Sequence, residues 1–126
     1  MYIRKETYEI EAVLSKCFYG DGSNGNDVFV EFDGDNISMK SLRYKVFKEK
    51  GTECVSCGLK GLYFAKERSI NARRYHFNLY GVDANGNEVM LTKDRISPKA
   101  KGGTDEASNF QPLCRACNEK RVQSNH

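Results

Sequence analysis

Four of the five cysteines stand in two Cys-x-x-Cys pairs, and their spacing points directly to chemistry. The first pair is Cys54 with Cys57, and the second is Cys114 with Cys117. In a cytosolic chain, four thiolates at this spacing favour one tetrahedral zinc ion over disulfides, with metal–sulfur distances of about 2.3 Å. Because four thiolates leave no open position for water, this zinc would be structural. The alternative is four unrelated buried thiols; Cys17 is interpreted as a small hydrophobic residue.

A second set of candidate residues lies between Leu91 and Arg121. The sequence there predicts a short apolar strand, a loop with a glycine pair, a second short strand and a helix that opens at the second cysteine pair. The residues whose types suggest a metal site, a shaped loop or a charged contact are Asp94, Arg95, Pro98, Gly102, Gly103, Asn109, Leu113, Cys114, Cys117, Asn118 and Lys120. A single one of them carries little meaning, so the prediction rests on their joint spacing.

This order of residues resembles the ββα-metal core of the HNH endonucleases. The family pattern runs Asp-His, Pro, Gly-Gly, Asn, then Leu-Cys-x-x-Cys followed by Asn or His, and then Lys. The resemblance covers roughly residues 41–121, since a helix followed by a cysteine knuckle is the usual entry to HNH domains of the four-cysteine type. It implies an α+β fold, in which the core is stapled by a four-cysteine structural zinc and preceded by a helix and a small β-rich N-terminal segment.

The resemblance also implies roles for individual residues. Asp94 and Asn118 are the expected ligands of a catalytic divalent ion, and their oxygen donors suit Mg²⁺ or Mn²⁺. Asn109 is expected to hydrogen-bond the backbone across the loop and to hold position 95 towards the metal. Together these groups would supply most of what phosphodiester hydrolysis requires.

Arg95 stands where the family carries the histidine that acts as general base. A guanidinium stays protonated at any physiological pH and has no acceptor, so it cannot take a proton from water. Because general-base catalysis contributes about 10² to 10⁴ in rate, we expect this chain to cleave very slowly or not at all. A cation beside Asp94 is also expected to compete with the divalent ion for that carboxylate.

Three explanations for Arg95 stay open. Arg95 is an introduced change that silences a toxic nuclease, a natural loss of the base in a domain kept for binding, or a natural change for which another residue acts as the base. We favour the first, because the other elements of the pattern are intact, including Asn118, whose clear use is to bind the metal.

His76 is the one internal histidine and the candidate for a stand-in base. Asn85-Gly86 is the best hairpin turn in the sequence. A hairpin centred on that dipeptide places His76 directly across from Arg95 on the same face, at a Cβ distance of about 5 Å. The alternative is that His76 is a packing or hydrogen-bonding residue.

Charge is unevenly distributed along the chain, whose net charge is +3. Residues 1–37 carry three Lys or Arg against eight Asp or Glu, residues 38–90 carry ten against five, and residues 91–126 carry seven against four. The basic body suits a polyanion such as DNA, although ordinary solvated faces have similar charge. The candidates for DNA-phosphate contacts are Lys99, Lys101 and Arg115.

The chain is predicted to consist of an acidic, β-rich N-terminal appendage, residues 1–37, and an HNH nuclease domain with zinc knuckles, residues 38–126. The predicted elements, in order, are a strand within Tyr2–Tyr19, where the residue types also tolerate a helix, a loop over Gly20–Asp27, a strand over Val28–Phe32, a turn at Asp33–Asn36, a helix capped by Ser38 that runs to Lys50, and strands over Leu62–Lys66, Arg73–Tyr80 and Glu88–Lys93.

The leading hypothesis is a metal-dependent HNH endonuclease that hydrolyses or nicks DNA and that is disabled here by Arg95. We expect its DNA substrate to be double-stranded. The alternative is a non-catalytic zinc-stapled module that binds DNA or a protein partner, in which Arg95 is native and contacts a phosphate. The charged opening lacks the apolar core of a signal peptide, and no run of about 18 apolar residues occurs. We therefore expect a cytoplasmic protein without a membrane partner, and small HNH enzymes of this kind occur in bacteria and phages.

Overall fold

The chain folds into an antiparallel sheet with helices and a separate hairpin packed against it. The computed structural model describes residues 1–17 and 29–124, with the backbone alone for 122–124, so the loop predicted at Gly20–Asp27 lies outside the described residues. In chain order the elements are β1 (Tyr2–Tyr8), α1 (Ile10–Leu14), β2 (Phe29–Phe32), β3 (Asp35–Ser38), α2 (Leu42–Lys50), β4 (Tyr63–Ser69), β5 (His76–Val82), β6 (Glu88–Arg95), β7 (Phe110–Cys114) and α3 (Arg115–Ser124). This mixture of helices and strands confirms the predicted fold class, and β6, β7 and α3 form the expected ββα unit.

The five-stranded sheet has the order β1-β4-β5-β6-β7, and every neighbouring pair is antiparallel. The hairpin of β2 and β3 turns at Asp33 and Gly34, within the predicted turn. One face of the sheet is apolar and meets α2, where the rings of Tyr44 and Phe47 each lie 6.2 Å from the ring of Phe64. A core of this kind holds the strands that carry the candidate site in one register.

A smaller apolar cluster joins α2 to the loop that connects β6 with β7. It contains the buried residues Val46, Ala107 and Phe110, with Leu42 packed against them. Leu42 and Val46 are one helical turn apart on α2 and lie on the same face, as predicted. The position of the loop is therefore set by a helix that precedes both cysteine pairs.

The acidic N-terminal segment packs on the rest of the chain across the predicted boundary at residue 37. β1 pairs with β4 along one edge of the sheet. The fully buried Lys66 of β4 forms ion pairs with Glu6 at 2.7 Å and Asp35 at 2.8 Å, and donates to the carbonyl of Phe32 at 2.8 Å. A buried ammonium needs such acceptors, so Lys66 joins β1 and the β2–β3 hairpin to the sheet.

Several of the predicted element boundaries are wrong. The strand predicted over Leu62–Lys66 spans Tyr63–Ser69, and the strand predicted over Arg73–Tyr80 spans His76–Val82. The strand predicted within Tyr2–Tyr19 ends at Tyr8, because Val13 and Leu14 of the helix α1 point into the core instead of alternating across a sheet. The helix cap predicted at Ser38 is Ser41, whose side chain accepts from the amide of Arg43 at 3.3 Å. Ser38 instead pairs with Phe29 at the end of β3, so cross-strand pairing outweighs its capping propensity.

Candidate metal centre and active site

The four paired cysteines come together in one cluster, as the sequence predicts. The four sulfur atoms of Cys54, Cys57, Cys114 and Cys117 all lie within 4.8 Å of one another. The sulfurs of Cys57 and Cys114 are 3.7 Å apart. Since a tetrahedral ion with metal–sulfur distances of about 2.3 Å requires sulfur–sulfur distances of about 3.8 Å, the cluster can hold a metal such as zinc.

The first cysteine pair is fixed to the second by backbone hydrogen bonds. The amide of Gly58 donates to the carbonyl of Cys54 at 2.9 Å, and the amide of Cys54 donates to the carbonyl of Leu59 at 2.8 Å, which closes the knuckle. The amide of Val55 donates to the carbonyl of Pro112 on β7 at 3.1 Å. The knuckle is therefore attached to the strand that leads directly into the second pair.

The thiols of the cluster differ strongly in their proton affinities. Burial, together with the neighbouring thiols, raises the pKa of Cys114 to about 12. Burial also acts on Cys54, but backbone amides of the two knuckles outweigh it and lower the pKa of Cys54 to about 6. One thiolate thus forms readily, whereas complete deprotonation of the cluster requires a cation, which is the expected behaviour of a metal site.

Asp94 and Asn118 lie on the same side of the ββα unit. Thr92 and Asp94 are two residues apart on β6, so their side chains point to the same face of the sheet. The amide of Asn118 on α3 reaches the hydroxyl of Thr92 at 3.5 Å, and that hydroxyl donates to the carbonyl of Leu113 at 2.8 Å. The helix therefore brings the Asn118 side chain to the face that carries the Asp94 carboxylate.

The cation that pairs with Asp94 is Arg121 on α3, and not Arg95. An Nη1 atom of Arg121 contacts Oδ2 of Asp94, and the same atom donates to the carbonyl of Arg95 at 3.2 Å. Gln111, opposite Asp94 on β7, places its Nε2 atom 3.4 Å from the same oxygen. The expectation that the Arg95 guanidinium competes for this carboxylate is thus wrong, because the competing charge comes from the helix.

Arg95 points to the other face of β6 and into the loop. Its guanidinium donates to the carbonyl of Thr104 at 2.6 Å and to the carboxylate of Asp105 at 2.6 Å, and it lies 4.8 Å from the ring centre of Phe110. Arg95 in turn lowers the pKa of Asp105 through this hydrogen bond. Position 95 is therefore occupied by a cation that has acceptors on the loop and an aromatic ring beside it.

Asn109 bridges the two ends of the loop. Its side-chain oxygen accepts from the amide of Ser97 at 2.9 Å, and its nitrogen donates to the carbonyls of Ser97 at 3.0 Å and Thr104 at 2.8 Å. The backbone of Asn109 also accepts from the amide of Ile96 at 2.7 Å. These bonds connect the residues immediately after position 95 with the start of β7.

The glycine pair allows the loop to turn back on itself. Gly102 has φ of 86°, a left-handed conformation that glycine adopts without strain. A Cβ atom on Gly103 would lie 1.7 Å from the carbonyl oxygen of Ser97, because the amide of Gly103 approaches the backbone closely enough to donate to Pro98 at 2.9 Å. The predicted loop-shaping role of Gly102 and Gly103 thus has a direct steric cause.

His76 does not lie across from Arg95, so the predicted register is wrong. Leu79 pairs with Leu91, and the ladder between β5 and β6 ends there; His76 pairs instead with Glu67 of β4. The observed register differs from the predicted one by one residue, which places His76 and Arg95 on opposite faces. The ring of His76 packs against Tyr2 at 5.8 Å, and burial and the charge of Arg43 lower the pKa of His76. His76 is thus a packing residue, and it does not have the position across from Arg95 that a stand-in base would need.

A groove of about 610 Å³ runs between the first cysteine knuckle and α3, next to Asp94. Its lining includes Val55, Gln111, Lys120 and Arg121. Sequence reasoning missed Gln111 and Arg121. The position of Arg121 could have been found, since it follows Asn118 by three residues and therefore shares its helical face.

The predicted phosphate-contacting residues lie on the surface. Lys99, Lys101 and Arg115 are all exposed. The ammonium of Lys99 also lies 3.4 Å from the carboxylate of Asp105, so Asp105 forms ion pairs with both Lys99 and Arg95. Sequence reasoning missed Asp105 as well.

Comparison with known proteins identifies one family. Residues 83–125 match the family model described as HNH endonuclease. This segment spans β6, the loop, β7 and α3, including the second cysteine pair, and confirms the resemblance drawn from the sequence over this part of the chain. Searches of curated proteins and of solved structures found no match. Among the described residues, no helix has the length and apolar character needed to cross a membrane.

Proposed function

We propose that this chain, whose residues 83–125 carry the HNH endonuclease signature, is a metal-dependent nuclease that hydrolyses or nicks DNA, here in a form disabled by Arg95. The observation that carries the proposal is the placement of Asp94 on β6 and Asn118 on α3 on one face, within the same unit as the four-cysteine cluster. The two oxygen ligands would form a reactive metal site, whereas the four thiolates would form a separate, structural metal site.

Asp94 and Asn118 would hold a divalent ion such as Mg²⁺, which supplies stabilisation of the charge that develops on the phosphate. The donor set fits such an ion, because a carboxylate and an amide oxygen are hard ligands and leave positions for water and phosphate oxygens. The zinc would bind at the four cysteines, where it attaches the first knuckle to β7 and α3. The two metals would therefore have different tasks.

Position 95 is where a general base would act. A histidine there could donate one ring N–H to the carbonyl of Thr104 or to Asp105, which now accept from Arg95. Its other ring nitrogen would then remain an acceptor for a proton from water. Asn109 shares the Thr104 carbonyl and bridges the loop, so it would keep this acceptor in place. Arginine cannot perform the proton transfer, because it has no acceptor.

The test is the substitution Arg95→His, assayed with supercoiled plasmid DNA and Mg²⁺. We expect nicking or linearisation to increase by about 10² to 10⁴ over the chain as it stands. Arg95→Gln is the matched control, since it removes the same charge without supplying a base. Asp94→Asn in the Arg95→His background should abolish the activity. If Arg95→His produces neither nicked nor linear DNA, the nuclease proposal is wrong.

DNA is the proposed substrate, in its double-stranded form, and the cytoplasm of a bacterial or phage-infected cell is the proposed location. The exposed cations Lys99 and Lys101 of the loop and Arg115 of α3 support contacts to phosphate. Binding carried by such contacts should weaken steeply with salt.

A second candidate function is a non-catalytic DNA- or protein-binding module. One observation favours it: Arg95 has two good acceptors and an aromatic neighbour, so the loop accommodates it as well as a native residue. Salt-dependent DNA binding of Arg95→Ala discriminates between the two. A loss of affinity supports the binding module, whereas unchanged or improved affinity supports a silenced nuclease.

A further inference from the structure

We propose that Arg121 is a built-in competitor of the divalent ion at Asp94, and that a DNA phosphate, by drawing Arg121 into the adjoining groove, couples DNA binding to metal binding. This inference rests on the proposed function, because it concerns the same metal ligand. The inference adds Arg121 as the residue that determines when the Asp94 carboxylate is available to the divalent ion.

The carboxylate of Asp94 is covered by neighbouring side chains. It is only 12 % exposed, and Arg121 contacts its Oδ2 atom directly. Gln111 approaches the same oxygen from the neighbouring strand. The guanidinium of Arg121 is further fixed by the carbonyl of Arg95. Arg121 therefore occupies the one carboxylate of the proposed ion site.

The charge of Arg121 opposes that of an ion at Asp94. A divalent ion bound through Asp94 and the guanidinium of Arg121, which contacts Oδ2, are like charges that compete for the same carboxylate. Repulsion between like charges at ion-pair distance is large where solvent is mostly excluded. Binding of the ion thus requires Arg121 to leave Asp94, and the affinity of the free chain for the ion is reduced accordingly.

The groove beside α3 offers Arg121 another position. Its side chain is 36 % exposed and lines the groove together with Lys120. A phosphate in that groove would meet two cations, and a guanidinium pairs with phosphate through two parallel hydrogen bonds. A DNA strand would therefore replace Asp94 as the partner of Arg121 and release the carboxylate for the ion.

These steps make the two binding events interdependent. If DNA raises the affinity for the ion by some factor, the ion raises the affinity for DNA by the same factor. A coupling of about tenfold lies within the usual range for such linked sites. Without DNA, Arg121 keeps Asp94 occupied.

The experiment measures Mn²⁺ binding to the full, zinc-loaded chain by electron paramagnetic resonance, with and without a short DNA duplex. The variants are Arg121→Gln, the conservative Arg121→Lys, and Lys120→Gln, which removes the same charge from the same groove one residue away. Asp94→Asn gives the background, including Mn²⁺ bound by the duplex itself. This readout does not depend on cleavage.

We expect Arg121→Gln to bind Mn²⁺ about tenfold more tightly than the original chain in the absence of DNA. Arg121→Lys should gain less, and Lys120→Gln should change little. The duplex should raise the affinity of the original chain by about the same tenfold and leave that of Arg121→Gln unchanged.

Three results would overturn the inference, in different ways. If Arg121→Gln binds no more tightly than the original chain while Asp94→Asn abolishes binding, Arg121 does not compete, although the metal site stands. If the duplex has no effect on the original chain, the coupling is wrong. If Asp94→Asn binds Mn²⁺ as the other chains do, Asp94 is not a ligand, and the proposed function falls together with this inference.

Discussion

Arg95 and Asn109 donate hydrogen bonds to the same acceptor, the backbone carbonyl of Thr104, at 2.6 and 2.8 Å. One residue ends β6 and the other precedes β7, so a single oxygen atom links the two strands of the ββα unit through the loop between them. Asn109 therefore helps to hold the carbonyl that accepts from Arg95.

Asn109→Ala should lower the free energy of unfolding by about 2 kcal/mol, because it leaves partly buried groups of Ser97 without their partner. Urea denaturation measures this change. Asn71→Ala, at an exposed turn position, is the matched control and should change stability by less than about 0.5 kcal/mol. Equal effects of the two substitutions would show that the loop does not depend on the Asn109 bridge.

Gly103→Ala should be much more destabilising than Gly102→Ala. The added methyl group at 103 would overlap the carbonyl of Ser97, whereas at 102 nothing lies within 4 Å and the cost is the left-handed backbone alone. We expect about 1 kcal/mol for Gly102→Ala and at least about 3 kcal/mol for Gly103→Ala. Thermal unfolding of the two variants ranks them, and the reverse order would contradict the loop geometry.

Cys117→Ser should remove the zinc from the chain and cost several kcal/mol of stability. Cys117 suits this test because it is partly exposed, so that the substitution disturbs little packing. Zinc content by atomic emission should fall from about one ion per chain to nearly none. Cys17→Ala, outside the cluster, should keep the metal. A Cys117→Ser chain that retains both zinc and stability would exclude the four-cysteine site.

Glu88 is expected to make a pH-dependent contribution to stability. Its carboxylate accepts from Arg4 at 2.6 and 2.9 Å, and these hydrogen bonds lower the pKa of Glu88 below its ordinary value of 4.5. A lowered pKa means that the contribution is complete above about pH 4.5 and is lost as the pH falls through the folded-state pKa. Because Glu88 is partly exposed, the contribution should be below about 1 kcal/mol.

The measurement is the difference in unfolding free energy between the original chain and Glu88→Gln, followed from pH 7 to acid. Comparing the two chains cancels the acid sensitivity of the cysteine cluster, which both share. We expect a difference at neutral pH that shrinks below about pH 4.5. Glu119→Gln, an exposed change on α3, serves as the control. A difference that grows on acidification would mean that the folded chain raises the pKa of Glu88 instead of lowering it.

The sequence was sufficient for the features that depend on spacing and on residue type. Two Cys-x-x-Cys pairs predict one cluster, and the cluster forms. Gly102 and Gly103 predict a tight loop, and the approach of Gly103 to Ser97 explains why a side chain does not fit. Such features are local, or have a chemistry that few alternatives share.

Two predictions failed for different reasons, one from the local geometry of a turn and one from tertiary placement. The hairpin register failed by one residue because the side chain of Asp83 accepts from the amides of Asn85 and Asn87, which makes a five-residue loop centred on Asn85. The partner of Asp94 was assigned to the adjacent Arg95, but successive strand residues face opposite sides, and Arg121 reaches Asp94 from the helix.

The cysteine cluster draws two ligands from each side of the Asp83–Asn87 turn. Cutting the chain at that turn would therefore give two fragments, each with half of a metal site and neither able to complete it alone. Strand pairing between β5 and β6 would bring the halves together, and the ion would then become the strongest link between two separate polypeptides. A metal at this cluster would be a cross-link that spans the sequence, so a split protein could be reassembled, and taken apart again, by supplying or chelating zinc.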